Sequence, residues 1–401
     1  MEFALDQRSK GMLRMLAGIG ESMFRPLGME YDRKGEAIPP DHPFFQNVID
    51  MGLVRPFALE KADSEKEERR GPKTGGRMAV LFAEEASYWD RGVTVTFPGP
   101  GLGGPPILKM GTPEQRERFL GPFADKKPRW GCFGMTEPGA GSDVARIATT
   151  CRKDGDHYVL NGAKTFISNA DRADWTIIFA TIDKDAGRAG HRAFVVERGT
   201  PGFEIVRPEA KMGLKPYQSC ALTLDECRVP VENLLGGEAY YEQNTGFKGA
   251  MAAFNSSRAL VAVMAIGVGR AAFDYARKFM KDNYELSRPI PRYRRMQEEL
   301  MNIKRKLDTG RLLAWRGAWL LDAEKHNALE ASMAKAYCPP VALEACRKAV
   351  EILGDAGVRN DHYVEKLYRD VKAMDIVEGT QQIQRTVIAR RLVNLPSYDG
   401  R

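Results

Sequence analysis

Residues 134–145 read GMTEPGAGSDVA: three glycines, a proline, two hydroxyl side chains and two carboxylates, with little to fill a core. The stretch leaves RWGCFGM (129–135), which reads as a strand. Glycines at a strand exit let the main chain approach a ligand closely, because no Cβ stands in the way. Thr136 and Ser142 add hydroxyls that both donate and accept. Composition alone leaves two readings open, an ornate turn or a cradle for something polar.

The chain around it has 401 residues, too many for one small core and enough for two or three domains. Its 43% hydrophobic and 28% charged content is that of a globular protein. No apolar run approaches the roughly 20 residues that span a bilayer, so no membrane span is expected. MEFALDQRSKGMLRML (1–16) carries an acid and lacks the apolar centre of a secretion signal, and it reads as a helix of a cytoplasmic protein. None of the six cysteines forms a C-x-x-C pair and the five histidines are scattered, so a disulfide framework or metal site is not expected. The formal charge of +7 is spread among acids, and no basic–aromatic module points to nucleic acid.

Three textures follow one another. Residues 1–130 read as a helical domain: HPFFQNVIDMGLV (42–54) and RMAVLFAEEASYW (77–89) have helical apolar spacing, and TPEQRERFL (112–120) opens with a Thr cap and a first-turn Pro. Between them EKADSEKEERRGPKTGG (60–76) reads as a surface loop, and FPGPGLGGPP (97–106) as a rigid turn or a cavity wall, not a regular helix. Residues 131–240 read as strands: HYVLNG, KTFISN, WTIIFATI, RAFVVER, FEIVR and CALTLDECRV, with KDGDHY (153–158) as a hairpin turn, making a small antiparallel barrel or sandwich. Residues 241–401 return to helix. Ala265, Gly269, Ala272 and Ala276 line a close-packing face; Met296, Leu300, Ile303 and Leu307 form a second stripe; helices follow at 328–354 and 380–394. The expected class is α+β, mainly helical.

Two further stretches bear on chemistry. In LNGAKTFISNA (160–170) Phe166 and Ser168 stand two apart, on one face of a strand, a ring and a hydroxyl suited to a flat heteroaromatic ligand or simply a half-buried strand face. In MDIVEGTQQIQRTVIARRLV (374–393) Ile383, Val387 and Leu392 form the apolar face of a helix beginning near Thr380. Glu378 precedes that start. It reads either as an N-terminal charge favoured by the helix dipole or as a general base.

Together these stretches resemble the acyl-CoA dehydrogenase family. GMTEPGAGSD, NGAKTFISNA, EILGDAG, VEKLYRD and VEGTQQIQR occur in the family's order and spacing, over about residues 5–395. The resemblance implies an N-terminal helical domain, a middle antiparallel β domain and a C-terminal four-helix bundle. It implies FAD between the last two, with Phe133, Met135 and Thr136 at the isoalloxazine ring, Gly141 and Ser142 along the cofactor, Phe166 covering the ring, Ser168 near its reactive nitrogen, and Thr380 and Gln382 at the adenosine half. Asn255, Arg258, Ser142 and Gly379 match substrate positions. The implied reaction is α,β-dehydrogenation of an acyl-CoA, Glu378 taking the α-proton while its own amide helps polarise the thioester carbonyl and hydride leaves for the flavin. Desolvation outweighs the helix terminus in the closed complex, so Glu378 is expected to rise there and stay ionised in the open enzyme. Electron-transfer flavoprotein is the implied acceptor, and a homodimer or homotetramer the implied assembly. Other readings on the same fold are a flavin oxidase, a carrier-protein-linked dehydrogenase, or a subunit that has lost flavin.

Several positions depart from the family pattern. Phe166 stands where tryptophan is common, and Val377 where tyrosine often precedes the base; with the 98–106 segment, Val377 points toward a bulky, branched or ring-bearing acyl group. Ser257 occupies the place where some members carry the base instead, and cannot act as one. Glu351 replaces a common glutamine, and Asn283 an arginine that reaches the neighbouring subunit's cofactor, leaving Arg288, Arg292, Arg294 and Arg295 to compensate or a homologous partner subunit to do so.

Overall fold

The computed structural model describes residues 5–54, 75–243 and 246–395, and for 243 and 246–256 the main chain alone. Most of the charged 60–76 stretch and the Asn255 side chain therefore lie outside the described residues.

The first region is helical. Helix α1 (Gln7–Ile19) starts where the Asp6 carboxylate accepts the Ser9 N–H at 2.7 Å, and runs through a π turn into α2 (Arg25–Lys34). After α3 (Phe44–Asp50), α4 (Gly75–Val95) is broken at Asp90, whose ψ of 112° is extended. The 97–106 segment divides: Gly101–Gly103 is a 3-10 turn, but Gly104 opens α5 (Gly104–Met110), with Pro105 and Pro106 in the first turn where no N–H is needed. Helix α6 (Pro113–Leu120) has the expected start, a reciprocal Thr112–Gln115 capping box.

The second region is one seven-stranded sheet: β1 (Gly131–Gly134), β2 (Thr150–Asp154), β3 (His157–Ser168), β4 (Trp175–Thr181), β5 (His191–Glu197), β6 (Phe203–Pro208) and β7 (Ser219–Pro230). The order is β1-β4-β2-β3-β7-β6, with β5 on the other edge of β4. HYVLNG and KTFISN are one strand, β3, kept continuous by bulges after Leu160 and Lys164. The hairpin at Gly155–Asp156 is as read, but β1 and β2 run parallel to β4, an addition to the antiparallel scheme. Both use the same edge of β4, at Trp175–Ile178 and at Thr181, so the 135–149 loop leaves and rejoins the sheet at two pinned points.

The third region is α7 (Gly237–Gln243), α8 (Gly246–Asn283), α9 (Pro291–Asp322), α10 (Ala328–Leu353), α11 (Val364–Ile376) and α12 (Gln381–Leu392). Small residues set its packing: a Cβ on Gly269 of α8 would come within 2.9 Å of Ala342 in α10, and one on Gly267 within 2.2 Å of the Glu84 carbonyl in α4. The Met296–Leu307 stripe of α9 is buried. Helix α11 is an addition to the sequence reading, and α12 a correction. Ile383 and Val387 are only half-buried and Leu392 is exposed, while Gln384 is the one buried residue of α12. The stretch Ser257–Asn283 does have the length and apolar character to cross a bilayer; 72% of its most apolar window is buried inside the fold, as in a core helix. All six cysteines are buried and unpaired.

Candidate active site

The 135–149 loop is held by an acid from its own motif. Glu137 is buried and accepts the Thr149 N–H at 3.0 Å, the Ala148 N–H at 2.5 Å and the Lys164 ammonium at 2.7 Å. Burial pushes this carboxyl up, but Lys164 and the N–H donors outweigh it, and the net shift is down. Lys164 is fully buried and also donates to the Phe179 carbonyl at 2.6 Å. With its base thus anchored, the loop presents Gly139, Gly141 and Ser142 to the outside, and a Cβ on either glycine would meet nothing within 4 Å.

Strand β3 brings the next pair alongside. The Thr165 N–H donates to the Thr136 carbonyl at 3.0 Å, and the Cys132 thiol to the Ser168 carbonyl at 3.0 Å, so the ends of β1 and β3 are tied together. Phe166 sits on the bulge in the left-handed region (φ 57°) and is 61% exposed; Ser168 is exposed too, with Ile167 buried between them. A large ring held out of the sheet beside an open glycine main chain fits a flat ring system with a polar tail, the shape of a flavin nucleotide. The Met135 side chain is buried in a cluster with Trp175, Ile177 and Phe179. Phe133 packs on Phe179 at 5.1 Å between ring centroids.

Glu378 lies between α11 and α12. Thr380 caps α12, its Oγ1 accepting the Ile383 N–H at 3.4 Å, and Gln382 is exposed on the first turn. Glu378 and Gly379 are both left-handed (φ 55° and 94°). For a non-glycine residue that conformation costs about 1–3 kcal/mol and persists only where the surroundings fix it. They do: the Gly379 carbonyl accepts from Lys335 Nζ at 3.2 Å and Gln384 Nε2 at 3.3 Å. The Glu378 carboxylate accepts the Ser257 hydroxyl at 2.5 Å. Ser257, set aside by the sequence reading because it cannot be a base, is the base candidate's hydrogen-bond partner. Burial raises the Glu378 carboxyl; Ser257 and the charges of Arg91, Lys335 and Arg258 hold it down, and burial wins.

Ser257 and Phe133 also line a cavity of about 410 Å³, and this joins the base to the β module. Its other walls are mostly apolar, among them Gly75, Gly76, Ala79 and Val80 of α4, Leu102 and Pro105, Leu260 of α8 and Leu321 of α9, with Asn327 as a polar member. The 98–106 segment is thus a cavity wall.

The positions that depart from the family pattern are occupied as follows. Glu351 is paired with Arg347 and, at 2.8 Å, with Lys348. Asn283 donates to the Phe279 carbonyl of its own helix. Arg288, Arg294 and Arg295 pair on the exposed surface with Glu285, Glu298 and Glu299.

A helical region, a sheet with an open glycine loop, and a helical region that sets a carboxylate beside an apolar cavity define a flavin-dependent oxidoreductase. Residues 9–127, 132–227 and 244–393 match the N-terminal, middle and C-terminal domain models of acyl-CoA dehydrogenase. The chain is 32% identical to the short-chain-specific acyl-CoA dehydrogenase of Megasphaera elsdenii over 397 residues, 98% of this chain and 100% of that one. It is 36% identical to a 3-(aryl)acrylate reductase of Clostridium sporogenes over 81% of this chain and 85% of that one. Among solved structures, butyryl-CoA dehydrogenase from M. elsdenii superposes with a TM-score of 0.86 at 32% identity, over 98% and 100% of the two chains. The chain belongs to the acyl-CoA dehydrogenase family, and its cofactor is FAD.

Proposed function

We propose that this chain oxidises an acyl-CoA thioester to the trans-2-enoyl-CoA, with Glu378 as the base that removes the α-proton. The observation that carries the reading is the Glu378 carboxylate, fixed by Ser257 and by a strained turn, next to an apolar cavity that reaches Phe133 of the flavin-loop strand. When bound, FAD supplies the two-electron acceptor. The chain's part is to hold it with Thr136, Gly141, Ser142, Phe166 and Ser168, with Thr380 and Gln382 at the nucleotide end. Phe133 is assigned to the ring and Met135 to a main-chain contact. Arg258, Ser142, Asn255 and Gly379 are assigned to the substrate.

An α-proton next to a thioester is weakly acidic, so the base must be strong and dry. Partial burial provides both, and Ser257 keeps one carboxylate oxygen oriented. The Glu378 amide, aimed by the left-handed turn, is the candidate donor to the developing enolate. The cavity of about 410 Å³, with glycines and alanines among its lining residues, favours a bulky or ring-bearing acyl group over a short straight one.

Electron-transfer flavoprotein is the proposed acceptor, and a homodimer or homotetramer in the cytoplasm the proposed state. The pairing of Glu351 with two cations weakens the case for an obligatory homologous partner. The division into domains at 1–130, 131–240 and 241–401 belongs to the same proposal. The test is anaerobic flavin bleaching with a panel of acyl-CoAs, in the parent and in Glu378→Gln. The variant is expected to keep its flavin and to lose about 10²–10⁴-fold in reduction rate; near-normal reduction rejects the reading.

A further inference from the structure

The base turn has a second support that belongs to neither cofactor nor substrate. Lys335, in the middle of α10, is fully buried and reaches the Gly379 carbonyl at 3.2 Å. That carbonyl belongs to the residue after the base, the second of two successive left-handed residues. Its other donor, Gln384, belongs to α12, so it closes the turn locally. Lys335 ties the main chain of the turn to α10, as Ser257 of α8 ties the Glu378 side chain.

We propose that Lys335 is a positioning residue for the Glu378 base: its ammonium pins the Glu378–Gly379 turn through the Gly379 carbonyl, and its charge holds the half-buried carboxylate in the ionised, proton-accepting form. The proposal rests on the reading of Glu378 as the base. The groups facing Glu378 are Ser257 and Arg258 of α8, Arg91 of α4 and Lys335 of α10. Those facing Lys335 are Asp375 of α11, Glu378, Arg258 and, on its own helix, Cys338.

Three features separate this role from simple packing. A buried amine with no carboxylate within bonding distance would be a poor structural choice, since burial alone pushes it down, here to about 8, with Asp375 and Glu378 opposing the fall. It therefore carries its charge through the range in which a raised carboxyl titrates. Second, its only hydrogen bond described goes to the strained turn, where fixing the main chain fixes the direction of the base. Third, Ser257 of α8 donates to the Glu378 carboxylate, whereas Lys335 donates to the main chain of the turn, a contact that sets the backbone rather than the carboxyl rotamer.

The experiment is stopped-flow flavin reduction by an acyl-CoA as a function of pH, on the flavin-loaded parent, Lys335→Gln, Lys335→Met and Glu378→Gln. Flavin content and the visible spectrum report on folding. In the parent the rate falls on the acid side as Glu378 takes its proton. Lys335→Gln keeps a donor and loses the charge, so its acid limb moves up by about one pH unit with little change in the plateau. Lys335→Met loses both: the limb moves as far, and the plateau drops by about ten- to a hundredfold as the turn loosens. An acid limb that stays where the parent has it in both variants overturns the proposal. So does loss of flavin in both, because Lys335 would then be needed for the fold and not for the base. If Glu378→Gln reduces normally with the parent's limb, the functional reading fails first, and that outcome is distinct from either.

Discussion

Among the described residues three lysines are completely buried, Lys164, Lys335 and Lys366, and they behave differently because of what faces them. Lys366 lies between Asp90 at 2.7 Å and Asp370 at 2.6 Å; burial pushes its amine down, the two carboxylates push it up, and they win. Lys164 has one carboxylate, Glu137, and ends at about 8. Lys335 donates to a carbonyl, feels Asp375 and Glu378 at longer range, and ends at about 8 as well. The first joins α4, α11 and the loop at Leu214, whose N–H donates to Asp370. The second braces the 135–149 loop. The third faces Glu378, the proposed base. A buried cation with a full set of counter-charges is structural, and one left short of them sits where chemistry is expected.

That contrast breaks most readily at Lys366. Lys366→Met leaves Asp90 and Asp370 buried without a cation, and should cost about 3–5 kcal/mol in denaturant unfolding at fixed flavin. Lys164→Met should cost about 3 kcal/mol, the low end, because Glu137 keeps two main-chain donors; its sharper effect is weakened flavin retention on dilution. If the two lose equally in stability and neither loses flavin, the division of roles is wrong.

The pH dependence separates the same pair with opposite signs. Lys164 titrates near 8 in the folded chain and near 10.5 unfolded, so the unfolded chain binds more protons between those values. The stability of the parent relative to Lys164→Met should therefore rise as pH goes from about 8 to 10.5. Lys366 is raised in the folded state, so its contribution is complete below 10.5 and lost only above it. Urea midpoints at pH 7, 8, 9 and 10 check this, and a flat difference for Lys164→Met counts against its charge assignment.

How much of this the sequence carried depends on the range of each contact. The 134–145 loop, the caps and the stripe on α9 are local patterns, and they were legible. Glu137 lay in the open within the motif, but its role depends on Lys164, 27 residues on. Ser257 and Glu378 are 121 apart, and Lys335 and Gly379 are 44 apart, so nothing in the spacing of either pair marks it. Helix α11 has a sound apolar stripe in Val364, Leu367, Val371 and Met374, but buried Lys366 and Asp370 blur the polar-out pattern that makes a helix readable. On α12 the error ran the other way. Ile383, Val387 and Leu392 had the right period, yet a buried amide, Gln384, makes the contact because the base turn needs a donor.

The smallest effect is expected where cations and carboxylates meet in water. Glu351 pairs with Arg347 and Lys348, all on one face of α10, and Lys348 also reaches Glu299 at 3.2 Å. The Lys348 hydrogen bond holds the Glu351 carboxyl below its ordinary value, aided by Arg347 against slight burial. Yet both members of the Arg347–Glu351 pair are nearly half exposed, at 49% and 45%, and screening leaves such pairs about 0–1 kcal/mol. Glu351→Gln should therefore leave the unfolding midpoint within experimental error, against the several kcal/mol at Lys366, and it also restores the residue common in the family. If Glu351 disfavours a neighbouring subunit's cofactor, flavin content per subunit of the chain purified alone should rise in the variant. An unchanged content near one flavin per subunit means that the two cations already neutralise the site and that no second kind of subunit is needed.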